Sequence, residues 1–407
     1  MICREPCNVK ERTLIMEMRK LTTKDYDELL ELLNHTFANK YGRDMDFLNE
    51  QPKMWVKDDE HMGNHVGVFE DGRLVSVVGI YPLPAKIDGT DILFATTGNV
   101  ATHPEYEGRG YFSKAFSEIM TELEKIDADA ARLGGARQRY GRYGFEPEGL
   151  LHKFTINSTN FKKCYKKEPN VTFRPVALGD ACELKFIKEL SERSLMFVKR
   201  STDDSYRDVF LALSSKHSRP YIAERDGKPI GYLSAYADNQ FVGVSDFGRH
   251  IAEIRGNTPD DVYDMVMCWQ NLIDKEVDLP VSPFETELLR IFSKIAEGHS
   301  AASPSHFKFR KFEPTADALM RVKAKTVELP EGEFTLEIKD YGNLCFYNKG
   351  GKAGCEKTSI STALTLERSD AQRLIFGALP AEAVCNLPWI ARAFLPLPLT
   401  WNTNDYT

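Results

Sequence analysis

The stretch Gly98-Asn99-Val100-Ala101-Thr102-His103-Pro104-Glu105-Tyr106-Glu107-Gly108-Arg109-Gly110-Tyr111 combines an apolar strand that stops at a proline, two glycines, and the start of a helix. Beyond Gly110, the residues Phe112, Ala115, Phe116, Ile119 and Leu123 fall at the i, i+3, i+4, i+7 spacing of one buried helical face. The glycines therefore sit at a helix N-terminus. Backbone N–H groups there lack helical partners, the dipole is positive, and glycine lets a ligand approach the main chain. A pyrophosphate suits that geometry. The third glycine of a dinucleotide fingerprint is missing and no G-x-x-x-x-G-K-[ST] occurs, so neither of those phosphate loops is supported. An ordinary strand-to-helix connection also favours glycine, and the loop alone leaves that alternative open.

Other chemistry is thin in the sequence. Gly98 inside an apolar strand reads as a bulge that turns the N–H groups around Asn99, Val100 and Ala101 toward a ligand. His103, beside Pro104, reads as an exposed turn-capping residue rather than a base. No His, Cys and carboxylate spacing fits a metal, and no Gly-x-Ser-x-Gly elbow offers a nucleophile. Nothing in these residues points to a covalent intermediate.

The elements that must position this loop can be read in order. Thr22 and Thr23 cap a helix whose apolar positions are Tyr26, Leu29, Leu30, Leu33 and Phe37. Two strands, 65–70 and 73–78, flank Asp71-Gly72, and Asp88-Gly89 turns a second hairpin into the Gly98 strand. After the loop and its helix come a strand over 128–133 and the aromatic run Arg139-Tyr140-Gly141-Arg142-Tyr143-Gly144-Phe145. A similar helix and hairpin recur around Asp226-Gly227, a faint internal repeat. In that copy the strand 251–256 runs into Asn257-Thr258-Pro259-Asp260-Asp261, where two aspartates oppose a phosphate, so the copy reads as structural. From about Phe309 shorter strands and a helix over 369–376 indicate a smaller α+β domain. Its end, Phe394 to Trp401, is apolar and proline-rich and reads as packed.

Composition sets the class. The chain has 407 residues, 42% hydrophobic and 28% charged, which is globular and long enough for two or three domains. A net charge of −7 disfavours nucleic acid and suits a cationic substrate. Eight cysteines without C-x-x-C spacing read as reduced thiols of a cytoplasmic protein. The first seventeen residues read as a flexible extension, neither signal peptide nor membrane anchor.

Val100 to Phe116 resembles the acetyl-CoA motif of the GNAT acetyltransferases, [QR]-x-x-G-x-[GA], here Glu105-Tyr106-Glu107-Gly108-Arg109-Gly110. The first position departs from the pattern, and Glu107 stands where a basic residue is frequent. Tyr140-Gly141-Arg142-Tyr143-Gly144-Phe145 is similar to the family's later Y-x-x-x-G-F segment. With a second degenerate unit and a small terminal domain, the chain resembles the Eis (enhanced intracellular survival) branch. The resemblance implies an α/β (α+β) architecture of tandem GNAT folds, the first active and the second degenerate, then a sterol-carrier-protein-like domain. The corresponding boundaries are 1–154, 155–308 and 309–407.

The resemblance further implies acetyl-CoA as co-substrate. Its contacts would be Asn99, Val100 and Ala101 on the strand, Glu107, Gly108, Arg109, Gly110, Tyr111 and Phe112 in the loop and helix start, and Gly135 and Ala136 opposite. Tyr140 matches the family's general acid; a phenol with a pKa of about 10 is protonated at neutral pH. The chain's terminal carboxylate, on Thr407, matches the base of Eis-like enzymes. The implied reaction is N-acetylation of a primary amine on an aminoglycoside, polyamine or lysine-like acceptor, without a metal, nucleic acid or membrane, in a cytoplasmic homo-oligomer that family likeness makes a hexamer. A non-catalytic acyl-CoA sensor or lipid-binding protein is the alternative, favoured by Glu105 and Glu107. An aminoacyl-transferring tandem GNAT is disfavoured by the acidic balance.

Overall fold

The computed structural model describes residues 15–200, 206–236 and 248–405. Of the extension expected over residues 1–17, residues 1–14 lie outside them, while Met16 and Glu17 belong to a strand; Thr407 also lies outside them. The chain divides into two compact units. One gathers the residues up to Phe47, Val56–Ile80 and Asn99–Glu122; the other gathers Leu48–Trp55, Tyr81–Gly98 and everything from Leu123.

In the first unit, strand β1 (Met16–Lys20) pairs antiparallel with β2 (His65–Glu70), and β2 pairs antiparallel with the first half of β3 (Arg73–Ile87). Asp71 and Gly72 both have positive φ, 51° and 84°, as a two-residue hairpin with right-handed strand twist requires. Every residue of β2 is buried. The helix Tyr26–Tyr41 follows a capping box made by Thr22 and Asp25, and it stops at Gly42 in the left-handed region. Its buried face is Leu29, Leu32 and Leu33. Leu32 thus takes the buried place expected of Leu30, which is half-buried. Strand β4 (Thr90–Thr102) supplies its last four residues to this unit, and the helix Tyr111–Lys125 buries Tyr111, Ala115, Phe116 and Ile119.

In the second unit, the earlier part of β4 runs parallel to β5 (Ala130–Leu133), with Phe94 opposite Ala130. Strand β6 (Glu146–Glu148) does not touch β5 directly. Strand β15 (Ser305–Phe309) lies between them, antiparallel to both. Conversely β7 (Leu151–Ile156) pairs with β13 (Val277–Val281) and β14 (Gly298–Ala302). Another sheet has the order β12 (Ile251–Gly256), β11 (Lys228–Tyr236), β10 (Ser218–Arg225), β8 (Thr172–Pro175), and the Asp226-Gly227 turn again has both φ positive. A last sheet holds β16 (Gly332–Ile338), β17 (Gly342–Lys349) and β18 (Lys352–Thr358); the helix Arg368–Phe376 follows these strands as expected, whereas the helix Glu313–Thr326 before them was not expected.

The second unit's largest core joins Phe94, Phe307, Phe309, Phe312, Phe376 and Trp401. Phe309 and Phe376 stack with ring centroids 3.9 Å apart, and Trp401 meets Phe94 edge-on at 5.0 Å. The apolar run before Trp401 is therefore packed, with Phe394, Leu395, Leu397, Leu399 and Trp401 all buried. Each such side chain contributes on the order of 1.5–3 kcal/mol by leaving water. Among the described residues no helix is long and apolar enough to cross a membrane.

Candidate active site

Gly108 and Gly110 have φ of +77° and +80°, and a Cβ on either would meet nothing within 4 Å. The glycines are there for backbone shape, not for lack of room, and the space in front of them is open. That is the form a phosphate cradle takes at the start of a helix. An L-residue in this region costs about 1–2 kcal/mol. Gly110→Ala is therefore expected to raise the Kd for acetyl-CoA about tenfold, measured by calorimetry; an unchanged Kd would mean that the turn is not part of the binding surface.

The side chains of the loop are organised by a residue that the sequence reading passed over. Glu70, the buried last residue of β2, accepts from Arg109 Nη1 at 2.7 Å and from the Tyr111 hydroxyl. Arg109 also donates to the Glu105 carbonyl at 3.3 Å and lies 4.6 Å over the Tyr106 ring. The bond to Glu70 holds the Arg109 guanidinium above its ordinary pKa and pushes the Tyr111 phenol up as well. The positive charge read as available to CoA phosphates is thus already engaged by a carboxylate. Glu107 is exposed, and Phe112 packs on Phe116 with centroids 5.4 Å apart.

Strand β4 runs unbroken from Thr90 to Thr102, and its left-handed residue is Asn99, with φ of +51°, not Gly98. Asparagine tolerates this region better than other L-residues. After Asn99 the strand is tied to β3 again: Ser76 Oγ donates to the Ala101 carbonyl at 3.1 Å, and His103 N donates to the Val75 carbonyl at 2.9 Å. His103 does cap the turn Pro104–Tyr106, accepting from Glu105 N. It is buried rather than exposed, because the His35 ring stacks on it at 4.8 Å and Tyr106 closes a second side.

In the second unit, Gly135 and Ala136 are exposed after β5, and Ala136 precedes the short helix Arg137–Tyr140. Tyr140 is only 5% exposed. A Cβ on Gly135 would run into the Tyr140 ring, so this glycine is required by close packing and fixes where the ring lies. Burial pushes the Tyr140 phenol above its usual pKa, against the opposing charge of Arg139. The hydroxyl is a proton donor across the neutral range.

The segment from Trp401 to Asp405 belongs to the same unit. Trp401 lies under the Arg132 guanidinium, 5.6 Å from its ring centre, and Arg132 donates to Thr96 Oγ1 at 2.9 Å and Ser305 Oγ at 2.8 Å. Lys53 Nζ donates to the Asn404 carbonyl at 2.8 Å, and burial pulls that ammonium down to about 8. Arg200 pairs with both Glu253 and Asp405. A cavity of about 50 Å³ beside them is lined by Met196, Val198, Glu253, Thr400 and Trp401. Among the described residues no group of three or more His, Cys, Asp or Glu is placed to hold a metal.

Residues 17–147 match the model of the acetyltransferase (GNAT) domain. The fold over 97% of the chain is similar to that of a GCN5-related N-acetyltransferase from Kribbella flavida, at 15% identity, 99% of that chain and a TM-score of 0.62. It is likewise similar to a probable N-acyltransferase from Enterococcus faecalis V583 at 18% identity (100% of that chain, TM-score 0.66). Against Eis1 from Mycobacterium abscessus it shows 12% identity over 97% of this chain and 100% of that one, with a TM-score of 0.63. None of the curated proteins matches the chain in sequence. The glycine turn, the left-handed Asn99 and Tyr140 after β5 all lie inside the segment 17–147 that matches the acetyltransferase (GNAT) domain model.

Proposed function

We propose that the protein is an N-acetyltransferase that moves the acetyl group of acetyl-CoA directly to a primary amine. The observation that carries this reading is the pair of left-handed glycines opening the helix Tyr111–Lys125 inside a GNAT-matching segment. In the proposed reaction a neutral amine nitrogen attacks the thioester carbonyl carbon. The resulting oxyanion is stabilised by backbone N–H groups of the Asn99–Ala101 strand. A C–N bond forms and the C–S bond breaks, Tyr140 gives its proton to the departing thiolate, and the amine's surplus proton goes to the Thr407 carboxylate, directly or through water. The Gly108–Tyr111 turn, Phe112, Gly135 and Ala136 are the remaining cofactor contacts of this proposal.

The wider assignment belongs to the same proposal. Residues 1–154 form the active GNAT unit, 155–308 a degenerate second unit, and 309–407 a sterol-carrier-like domain. The helix Ala181–Ser191, the β10–β11 hairpin, and β12 leading into the helix Pro259–Ile273 support a second copy of the plan. Thr258 and Asp261 close that helix start on themselves, with Thr258 Oγ1 bonded to Asp261, which supports a copy without a phosphate site. A small cationic amine or a lysine side chain is the acceptor class, and a cytoplasmic hexamer the state that family resemblance favours.

The test is release of CoA from acetyl-CoA with polyamines, aminoglycosides and lysine peptides as acceptors. Turnover with one class identifies the acceptor. Absence of turnover with all three, while acetyl-CoA still binds, would replace the enzyme by an acyl-CoA sensor. The engagement of Arg109 by Glu70 is the observation on that reading's side.

A further inference from the structure

We propose that His65 is a positioning residue for acyl transfer: through its bond to Asn99 it fixes the left-handed turn that sets the direction of the Val100 and Ala101 N–H groups. This rests on the acetyltransferase reading, which assigns those groups to the acyl carbonyl, and it adds a residue that touches no substrate.

Asn99 is the one non-glycine residue of β4 with positive φ. Such a conformation persists in a strand only where its surroundings over-determine it. The side chain supplies that determination. Asn99 Nδ2 lies 3.2 Å from His65 Nε2, and Asn99 is 6% exposed against 1% for His65. His65 Nδ1 lies 3.2 Å from the Met62 carbonyl, an acceptor only, so Nδ1 carries the proton and bare Nε2 accepts from the asparagine amide.

The mount of this histidine is stiff. Its carbonyl accepts from Leu21 N at 3.1 Å, its strand pairs His65 with Gly79, and the adjacent Asn64 carbonyl accepts from Ile80 N at 2.8 Å. Burial lowers the His65 pKa to about 4, so the neutral tautomer that can accept persists over the working range. On the far side of Asn99, Ser76 and Val75 refasten the strand at Ala101 and His103. Between these two fixed points the chain turns at left-handed Asn99, and the amide–imidazole bond holds the Asn99 side chain.

Four variants test this: H65Q, H65L, N99G and H65L/N99G, each with kcat, KM for the amine, Kd for acetyl-CoA and a circular-dichroism check of folding. In H65Q the glutamine Oε1 takes the place of Nε2 as acceptor, and kcat is expected within threefold of wild type. H65L removes the acceptor and is expected to lose thirtyfold or more in kcat with acetyl-CoA Kd within threefold. N99G keeps the backbone accessible but frees it, and a loss similar to that of H65L is expected.

The decisive comparison is the double variant. With the amide gone, H65L should cost nothing more, so H65L/N99G should equal N99G. A further thirtyfold loss on the N99G background would make His65 a packing residue and overturn the proposal, as would wild-type kcat in folded H65L. If H65L does not fold, N99G and H65Q decide: N99G must lose kcat and H65Q keep it. Wild-type protein without turnover on any amine would instead bring down the acetyltransferase reading, a result separate from every variant comparison.

Discussion

Tyr140→Phe is expected to lower kcat by about 10²–10⁴-fold, the usual worth of a positioned general acid, with the Kd of acetyl-CoA within threefold. The substitution removes one oxygen and leaves the ring that Gly135 packs against, so fold and cofactor binding have little reason to change. The pH dependence follows from the direction of the shift. Burial raises the phenol above 10, and an acid acts only below its own pKa. The proton supplied by Tyr140 is therefore present throughout the neutral and mildly alkaline range, and no alkaline fall in kcat from this group is expected between pH 7 and pH 9.5. An unchanged kcat in the variant would strip Tyr140 of its role. A raised Kd with unchanged kcat would make it a wall of the cofactor site.

What the sequence showed about this protein was what single segments decide for themselves. Asp71-Gly72, Asp88-Gly89 and Asp226-Gly227 all have the paired positive φ that a two-residue turn demands, a requirement met by the residues in place. The glycines at 108 and 110 and the helical face of Ala115, Phe116, Ile119 and Leu123 are equally local, although Tyr111 is buried at its start where Phe112 was expected. Failures came where distant residues decide. Glu70 looks like an ordinary polar strand end, and only the approach of Arg109 and Tyr111, some forty positions on, makes it the organiser of the loop. The left-handed residue is Asn99 and not Gly98, and its amide lies within hydrogen-bond distance of a buried histidine on another strand. The exchange of β7 and β15 between sheets was invisible as well. Both strands are short, and the apolar alternation that marks a strand does not say which sheet it enters.

The largest stability effect is expected at Arg200, whose side chain is 8% exposed and makes four short contacts, to Glu253 at 3.0 and 2.6 Å and to Asp405 at 2.8 and 3.0 Å. Glu253 is held further by the Tyr232 hydroxyl at 2.5 Å and by Asn404 Nδ2 at 3.3 Å. Burial alone would push the Glu253 carboxyl up, but the Arg200 charge outweighs it and holds the group well below the usual carboxylate range. Arg200→Met fills the volume and removes the guanidinium bonded to both carboxylates, leaving only the charges of Arg255 near Glu253 and Lys53 near Asp405, at a cost of about 3–5 kcal/mol, read from the urea midpoint. The sign with pH is fixed by Glu253. In the wild type its depressed pKa contributes stability above the unfolded-state pKa, lost only as pH falls through the folded value. In the variant the carboxyl loses the group that depressed it, binds a proton sooner, and the penalty for a buried charge fades. The gap between variant and wild type should therefore narrow from pH 7 to pH 5, and R200M/E253Q should be more stable than R200M at pH 7. A constant gap, or a double variant worse than the single, would show that Arg200 acts through packing. Because Asp405 stands two residues before Thr407, folded R200M should also lose turnover with acetyl-CoA Kd kept if the terminal carboxylate is the base. Full turnover would separate the stability of this ion cluster from the chemistry.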